Sequence, residues 1–374
     1  MNKIGLYIHI PFCNKICAYC DFPKRVSKNA IKEKYLKYLK KEFNLYKEKN
    51  FDFQKITSIY IGGGTPTSLE IKLLDELFYE LHQMVDFSKI EEFTIEVNPE
   101  DLSKELIDLF VSYNINRISI GIQTLDKELL YKINRSFNFD RFLENYNYLK
   151  FRISNINFDV MYAIPGQTLE QLSDTLTSLI KLKPKHFSVY SLILEEKTIF
   201  YNEFIKGKLE LVDEELELKM VEKIHELLDV DYPQYEVSNY SKDAQSYHNL
   251  LYWSNEQYLG IGLSAASYLD DKRYQNTKNL YNYFDDIDNG KFPIEYVEEL
   301  SLDDTKKHHI IQGFRKVCGI NLSVYFNRYQ TNIFDDFPLL KEFVLKGYFE
   351  VVDDNIKIKK EYFYVMDHFI EKLM

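Results

Sequence analysis

The sequence predicts an α/β protein that is built around a partial barrel of six β/α units. Short β-branched and aromatic runs alternate with amphipathic helical stretches over residues 1–230, which is the pattern of a parallel sheet with crossover helices. Six units are two fewer than a closed eight-stranded barrel needs, so an open barrel is expected. The alternation then stops, which predicts a connecting lobe over residues 231–298 and a C-terminal domain over residues 299–374.

The six candidate strands are short and rich in β-branched and aromatic residues, as buried parallel strands tend to be. In order they are IGLYIHI from Ile4, SIYIG from Ser58, EFTIEV from Glu92, NRISIGI from Asn116, INFDVMY from Ile156 and HFSVYSLI from His186.

The helices between the strands are predicted from apolar residues at helical spacing. Thr168 and Gln171 form a candidate capping box, and Thr67 with Glu70 is expected to cap the second helix. The apolar stripes are Leu102, Leu106, Leu109 and Phe110 after the third strand, and Leu172, Leu176, Leu179 and Ile180 after the fifth.

The last part of the chain has a different pattern. An irregular, aromatic segment, YEVSNYSKDAQSYHNLLYWSNEQYLGIG, forms the predicted lobe. A helical stretch from about residue 300, a helix near Leu339 to Leu345, the hairpin-like YFEVVDDNIKIKK and a final helix follow, and together they predict a small winged-helix-like domain. DNA binding by that domain is disfavoured by the acidic balance of the chain.

Composition narrows the class of protein. The 374 residues carry a formal net charge of -11, which argues against a nucleic-acid surface because phosphate binding needs clustered Lys and Arg. No apolar run approaches the eighteen or so residues of a membrane span, and the N-terminus lacks the basic and apolar regions of a signal peptide. A cytoplasmic protein is therefore expected. In the reducing cytoplasm, clustered cysteines more often bind metal than form disulfides.

Three of the four cysteines, Cys13, Cys17 and Cys20, lie within eight residues directly after the first strand. A structural zinc site normally needs four ligands, and the remaining cysteine, Cys318, lies in the predicted C-terminal domain, where a buried position is expected. Three thiolates suit a 4Fe–4S cluster, which then keeps one iron open for an added chelating molecule. Zinc and unliganded thiols remain the alternatives.

Further polar and glycine-rich motifs follow the other strands. Gly62-Gly63-Gly64-Thr65-Pro66 comes after the second strand, where missing Cβ atoms let backbone approach a ligand, although such a run is as often a simple turn. The carboxyl ends of barrel strands form the active face of barrel enzymes. Side chains expected there are Glu96, Asn98, Gln123 and Asp159, with Arg135 as a candidate partner for a carboxylate and an ordinary surface ion pair as its alternative.

The C-x3-C-x2-C spacing, with Tyr19 before the last cysteine, resembles the radical S-adenosylmethionine (SAM) superfamily. That resemblance implies that the open iron chelates SAM and that an electron from the cluster releases a 5'-deoxyadenosyl radical. The segments YIHIPFC, IGGGTPT, RISIGIQ, DVMYAIPGQT, HFSVYSLILEE and HNLLYW resemble oxygen-independent coproporphyrinogen III oxidase and its relatives. This closer resemblance implies SAM contacts at Tyr7, Gly63, Gly64, Thr65, Glu96, Gln123, Arg135 and Asp159.

Two departures point to the HemW branch of that family, which is understood as a heme chaperone. Phe22 replaces a further cysteine of the decarboxylating oxidases, and only six residues precede Tyr7. The branch signature HNxxYW implies heme contacts at His248, Tyr252 and Trp253, with imidazole as an axial ligand of the iron. The alternative for His248 is a packed, hydrogen-bonded residue. Ala266 stands where the family has a histidine, so a contact made by that histidine is in question here.

Three functions are consistent with these motifs. The first is a cluster- and SAM-binding carrier that delivers heme to acceptor hemoproteins. The second is a coproporphyrinogen III oxidase that removes propionate carboxyl groups by radical chemistry, and the third is a radical SAM enzyme with an unrelated substrate. Phe22 and HNLLYW favour the carrier. The identity of the electron donor and the choice between monomer and dimer stay open.

Overall fold

The computed structural model describes residues 3–374, and its main feature is an eleven-stranded sheet. The strands are β1 (Ile4–Ile10), β2 (Ile56–Gly63), β3 (Glu92–Val97), β4 (Arg117–Gln123), β5 (Asn155–Tyr162), β6 (His186–Ser191), β7 (Asn239–Tyr240), β8 (Gln257–Ile261), β9 (Ala266–Leu269), β10 (Lys272–Asn276) and β11 (Ile294–Glu299). They lie in the order β11-β10-β9-β8-β1-β2-β3-β4-β5-β6-β7.

The central part of the sheet confirms the predicted α/β fold. Strands β1 to β6 are parallel and adjacent in chain order, and each overlaps one of the six predicted segments, which differ from the strands by at most two residues at either end. Strand β8 adds in parallel to the other side of β1, while β7 pairs antiparallel with β6. Because parallel strands end at the same edge, the loops after β1 to β6 meet on one face of the molecule.

The helices of the described chain cover this sheet and form the C-terminal part. They are α1 (Asn29–Glu48), α2 (Ile71–Met84), α3 (Lys104–Ser112), α4 (Lys127–Lys132), α5 (Phe139–Leu149), α6 (Leu169–Ile180), α7 (Ile199–Phe204), α8 (Glu214–Leu228), α9 (Tyr247–Trp253), α10 (Leu280–Asp288), α11 (Leu302–Gly313), α12 (Leu322–Tyr329), α13 (Ile333–Asp336), α14 (Leu339–Leu345) and α15 (Met366–Leu373). In residues 3–374 no helix has both the length and the apolar character that crossing a membrane requires.

Helix capping follows the sequence at one predicted position and departs from it at another. Thr168 and Gln171 form the expected capping box of α6. The predicted cap of α2 by Thr67 is wrong, because Thr67 lies in a separate 3-10 turn that Pro66 begins, and its hydroxyl donates instead to Asp101 Oδ2 at 2.8 Å. Proline at the start of that turn holds Thr67 away from the N-terminus of α2.

The segment after residue 230 is more regular than its sequence indicates. It contributes α9, α10 and five strands of the main sheet, and its Leu259, Ile261 and Tyr283 share one hydrophobic core with Leu6 and Ile59 of β1 and β2. The boundary at residue 230 stays a prediction, and the sheet is continuous across it.

Residues beyond 299 pack around a hydrophobic cluster of their own. A three-stranded sheet of β12 (Ile320–Asn321), β13 (Phe349–Val352) and β14 (Asn355–Ile358), in the order β12-β14-β13, includes the predicted hairpin. The expectation of a buried Cys318 is wrong, since this thiol is exposed. It lies in the turn after α11, where neighbouring Gly319 packs its backbone against Ile356 O and leaves no room for a Cβ.

Candidate functional site

A cavity of about 610 Å³ opens where the parallel strands end. It brings together ten of the eleven residues that the sequence assigned to the cluster and to SAM, which come from strands and loops up to 146 residues apart in the chain. These are Cys13, Cys17, Cys20, Gly63, Gly64, Thr65, Glu96, Gln123, Arg135 and Asp159. Asn98 lines the same cavity, whereas Tyr7 does not.

The loop that carries the three cysteines is closed at its base by backbone hydrogen bonds. Arg25 N donates to Pro11 O at 2.8 Å, and Cys13 N donates to Arg25 O at 3.1 Å. Burial raises the pKa of the Cys13 thiol to about 11, although the Thr65 hydroxyl, 3.7 Å from Cys13 Sγ, acts in the opposite direction. The loop therefore starts from β1 with a fixed geometry and presents its thiols to the cavity.

The arrangement of the thiols suits a multi-iron cluster. No three His, Cys, Asp or Glu side chains in residues 3–374 are placed to hold a single metal ion. Cys13, Cys17 and Cys20 instead line the wall of one cavity, and each thiolate of a cluster binds a different iron. Gly64 makes space beside them, because a Cβ there would lie 3.0 Å from Cys13 Sγ and 2.7 Å from Phe12 O.

The glycine loop after β2 is held against the half-buried carboxylate of Glu96. Gly63 has a φ of 115°, and its N–H donates to Glu96 Oε2 at 3.0 Å, while the Tyr60 hydroxyl donates to Glu96 Oε1 at 2.8 Å. Burial raises the pKa of Glu96 to about 7, and these two hydrogen bonds oppose that rise. Glu96 thus faces the cavity as a carboxyl group whose pKa a nearby cation would lower, which favours the ionised form.

The buried guanidinium of Arg135 lines the same cavity and is connected to the glycine loop through Asn98. Arg135 is 9% exposed and its Nη2 donates to Asn98 Oδ1 at 2.6 Å, while Asn98 Nδ2 donates to Thr65 Oγ1 at 3.2 Å. No carboxylate of residues 3–374 lies within 4.0 Å of the Arg135 nitrogens. The cavity therefore offers a desolvated cation whose preferred partner is a carboxylate.

The remaining polar residues come from β4 and β5. Gln123 ends β4 at a break in strand register with a φ of 67°, and its Oε1 accepts from the Tyr190 hydroxyl at 2.7 Å. Asp159 accepts from Asn157 Nδ2 at 2.7 Å and from Ser119 Oγ at 3.1 Å, and burial raises its pKa.

Sequence reasoning missed several residues of this cavity. Tyr60, Ser119 and Tyr190 line it, and their hydroxyl groups donate to the predicted residues Glu96, Asp159 and Gln123, respectively. The alternation of a strand was the available signal, because Ser119, Gly121 and Gln123 of β4 point to one face.

Tyr7 lies in a second cavity of about 920 Å³, between the end of β1 and the segment that contains α9. All three predicted heme residues, His248, Tyr252 and Trp253, line it, as does Ala266. Tyr60, Asp21, Phe22 and Lys24 line both cavities. The two cavities are therefore neighbours, and the cysteine loop forms part of each.

His9 is a further residue that the sequence analysis passed over. Its Nδ1 lies 2.9 Å from the Tyr7 hydroxyl and its Nε2 lies 2.9 Å from Pro23 O. Because a carbonyl only accepts, Nε2 carries the proton and Nδ1 accepts from Tyr7. His9 thus connects the end of β1 to the far end of the cysteine loop.

His248 is more enclosed than an open axial ligand would be. It is 1% exposed, its Nδ1 lies 2.7 Å from Ser58 Oγ, and its Nε2 lies 2.7 Å from the Tyr252 hydroxyl. Burial, with a smaller effect of the Arg117 charge, lowers its pKa to about 3. Ligation by His248 stays a prediction, and it requires that one of these two hydrogen bonds is released.

Comparisons with known proteins match this geometry. The family model of the Radical SAM superfamily matches residues 7–179. The chain is 36% identical over 348 residues to heme chaperone HemW of Bacillus subtilis, with 91% of each chain covered. It is 37% identical over 327 residues to heme chaperone HemW of Lactococcus lactis, covering 87% of this chain and 84% of the relative.

A solved structure has the same fold over the whole chain. Coproporphyrinogen III oxidase (HemN) from Escherichia coli, a radical SAM enzyme, superposes with a TM-score of 0.85 at 22% identity. The superposition covers 100% of this chain and 90% of that one.

A parallel sheet with three cysteines after its first strand and a glycine loop after its second defines a radical SAM protein. The 36% identity to the Bacillus subtilis relative extends over 91% of both chains, so it defines a narrower group within the superfamily. The chain belongs to the HemW family of that superfamily.

Proposed function

We propose that the first cavity holds a 4Fe–4S cluster on Cys13, Cys17 and Cys20 and binds SAM beside it. The observation that carries this proposal is the buried Arg135 guanidinium, which lines the same cavity as the three thiols and has no carboxylate within 4.0 Å in residues 3–374. Arg135 would bind the methionine carboxylate, held in place by Asn98. When bound, the cluster supplies the electron that cleaves SAM.

The other side chains of this cavity orient the molecule. An ammonium group next to Glu96 would stabilise its ionised form, and the hydrogen bonds from Gly63 and Tyr60 already hold that carboxylate. Thr65, Gln123 and Asp159 complete the predicted contacts.

We further propose that the protein is a heme chaperone, as the names of its HemW relatives indicate for those proteins. In this proposal it binds heme and delivers it to acceptor hemoproteins in the cytoplasm. The second cavity supports this proposal, because flat aromatic side chains form much of its wall. They are Tyr7, Phe22, Tyr60, Tyr252, Trp253 and Tyr258.

Cluster binding is tested by anaerobic reconstitution with iron and sulfide. The wild type should retain about four irons per chain, the composition of the cluster, and each of Cys13→Ala, Cys17→Ala and Cys20→Ala should lose the cluster absorbance. Cys318→Ala is the matched control, because that thiol is exposed and lies in the C-terminal part. A Cys13→Ala protein that assembles the same cluster would contradict the assignment.

Heme carriage is tested with the reconstituted, reduced protein. Titration with heme should give saturable binding, and incubation with SAM and coproporphyrinogen III should give no protoporphyrinogen. Turnover of coproporphyrinogen would instead establish the oxidase, the second candidate function, whose fold this chain shares.

A further inference from the structure

The second cavity carries an excess of positive charge that is unusual for this chain. Its lining includes four basic residues, Lys24, Arg25, Lys197 and Lys278, and one acidic residue, Asp21. The whole chain has 47 Lys and Arg against 58 Asp and Glu, so this cavity reverses the general balance. The lining of the first cavity does not, since its acidic residues outnumber its basic ones.

These cations are free to meet a ligand. No carboxylate of residues 3–374 lies within 4.0 Å of the side-chain nitrogens of any of the four. Lys24 donates to Cys20 O in the cysteine loop. Arg25, Lys197 and Lys278 are exposed, and their side chains have no hydrogen-bond partner among residues 3–374. They come from three separate segments of sequence that the fold brings to one cavity.

Charge and aromatic surface together specify the ligand. A cavity of about 920 Å³ falls within the size of pockets that bury most of a cofactor-sized ligand. A ligand that fits it has a flat apolar body for the aromatic wall and at least two anionic groups for the cations. Heme has this chemistry, with a planar macrocycle and two propionates on one edge.

We propose that Arg25, Lys197 and Lys278 recognise the heme propionates, so that heme enters the second cavity with its macrocycle against the aromatic wall and its propionate edge at the rim. The proposal rests on the proposed function of heme binding. It does not depend on His248, whose two ring nitrogens are already hydrogen-bonded. Rim cations also attract an anionic ligand from solution, so they accelerate its capture.

The test compares heme with its dimethyl ester, which keeps the macrocycle and the iron but has no carboxylates. Binding of each is measured by absorbance titration of the full-length, reconstituted protein. The variant is Arg25→Gln combined with Lys197→Gln and Lys278→Gln, and Lys24 is left intact because of its bond to the cysteine loop. We expect the variant to bind heme about tenfold more weakly, since exposed ion pairs each contribute modestly, and to bind the ester within about twofold of the wild type.

The matched control removes three positive charges at exposed lysines outside the cavity, by Lys47→Gln, Lys127→Gln and Lys181→Gln. It should bind both ligands as the wild type does, which separates a local contact from the effect of net charge. A second sign of charge recognition is that added salt weakens binding of heme but not of the ester.

The outcomes distinguish this proposal from the function on which it rests. If the wild type binds heme and its ester equally well, or the cavity variant binds heme like the wild type, propionate recognition is refuted and heme carriage stands. If the cavity variant loses both ligands to the same extent, the residues shape the cavity rather than pair with carboxylates, and the proposal is again refuted. If the wild type binds neither ligand, heme carriage itself fails and the propionate proposal fails with it.

Discussion

Replacing Gly63 by alanine should destabilise the protein by two separable effects. The residue has a φ of 115°, in the left-handed region that alanine rarely adopts, at a cost of about 1–3 kcal/mol. A Cβ at this position would lie 2.5 Å from His9 Cε1 and Nδ1, and overpacking of this kind costs about 1–3 kcal/mol. We therefore expect Gly63→Ala to lower the free energy of unfolding by about 2–6 kcal/mol.

The backbone part is isolated by a second glycine. Gly290 has a φ of 68°, and a Cβ added there meets no atom within 4 Å. Gly290→Ala should therefore cost about 1–3 kcal/mol, the backbone effect alone.

The steric part is isolated by removing its partner. His9→Ala deletes the ring that the new Cβ would meet, so the double variant Gly63→Ala/His9→Ala should be more stable than the sum of the two single effects predicts. The expected coupling is about 1–3 kcal/mol.

The assay is urea unfolding followed by fluorescence of Trp253, the single tryptophan, which lies on α9 beside the second cavity. If the two single costs simply add in the double variant, contact with His9 is not the reason for glycine at position 63.

Three other predictions concern buried ionisable groups. Burial raises the pKa of Glu42 to about 7 from 4.5. As the pH rises, the unfolded chain therefore releases this proton before the folded protein does. The contribution of the protonated carboxyl group to folding stability is complete below pH 4.5 and is lost as the pH rises through 7. The stability of Glu42→Gln relative to the wild type should thus rise by about 3 kcal/mol over this range, and a constant difference in urea unfolding would contradict it. His248→Ala should lower the free energy of unfolding by about 2–4 kcal/mol without heme, because it leaves the hydroxyl groups of Ser58 and Tyr252 unpaired. If the same variant binds heme with unchanged affinity and spectrum, His248 is not a ligand of the iron. Arg117→Met should cost about 3–5 kcal/mol, because it leaves Glu92 buried without its cation, and adding Glu92→Gln to this variant should recover part of that loss in thermal unfolding.

The central sheet was predictable because each strand satisfies a local rule. Segments such as IGLYIHI and EFTIEV are buried on both faces, so their apolar and β-branched character shows directly in sequence. Strand β10 lacks this signal, because KRYQN is only partly buried and pairs antiparallel on both sides. Its place in the main sheet depends on β8, whose pairing with β1 joins segments about 250 residues apart, and no local pattern encodes that contact.

In the candidate site too, residues placed by the strands were predictable, whereas contacts that depend on the folded loops were not. Gly64 and Gln123 were found because one directly follows β2 and the other ends β4, and parallel strands bring their ends to one edge whatever the rest of the chain does. The expectation that Asp159 lies at a strand end is wrong, because it lies inside β5 and reaches the cavity from there. The bonds of His9 to Tyr7 and Pro23 depend instead on how the cysteine loop returns to β1, which is a property of the folded loop. The cations of the second cavity illustrate the point most clearly: an exposed lysine such as Lys278 looks in sequence like any of the other basic residues, and only the fold shows that it borders the same aromatic wall as Arg25.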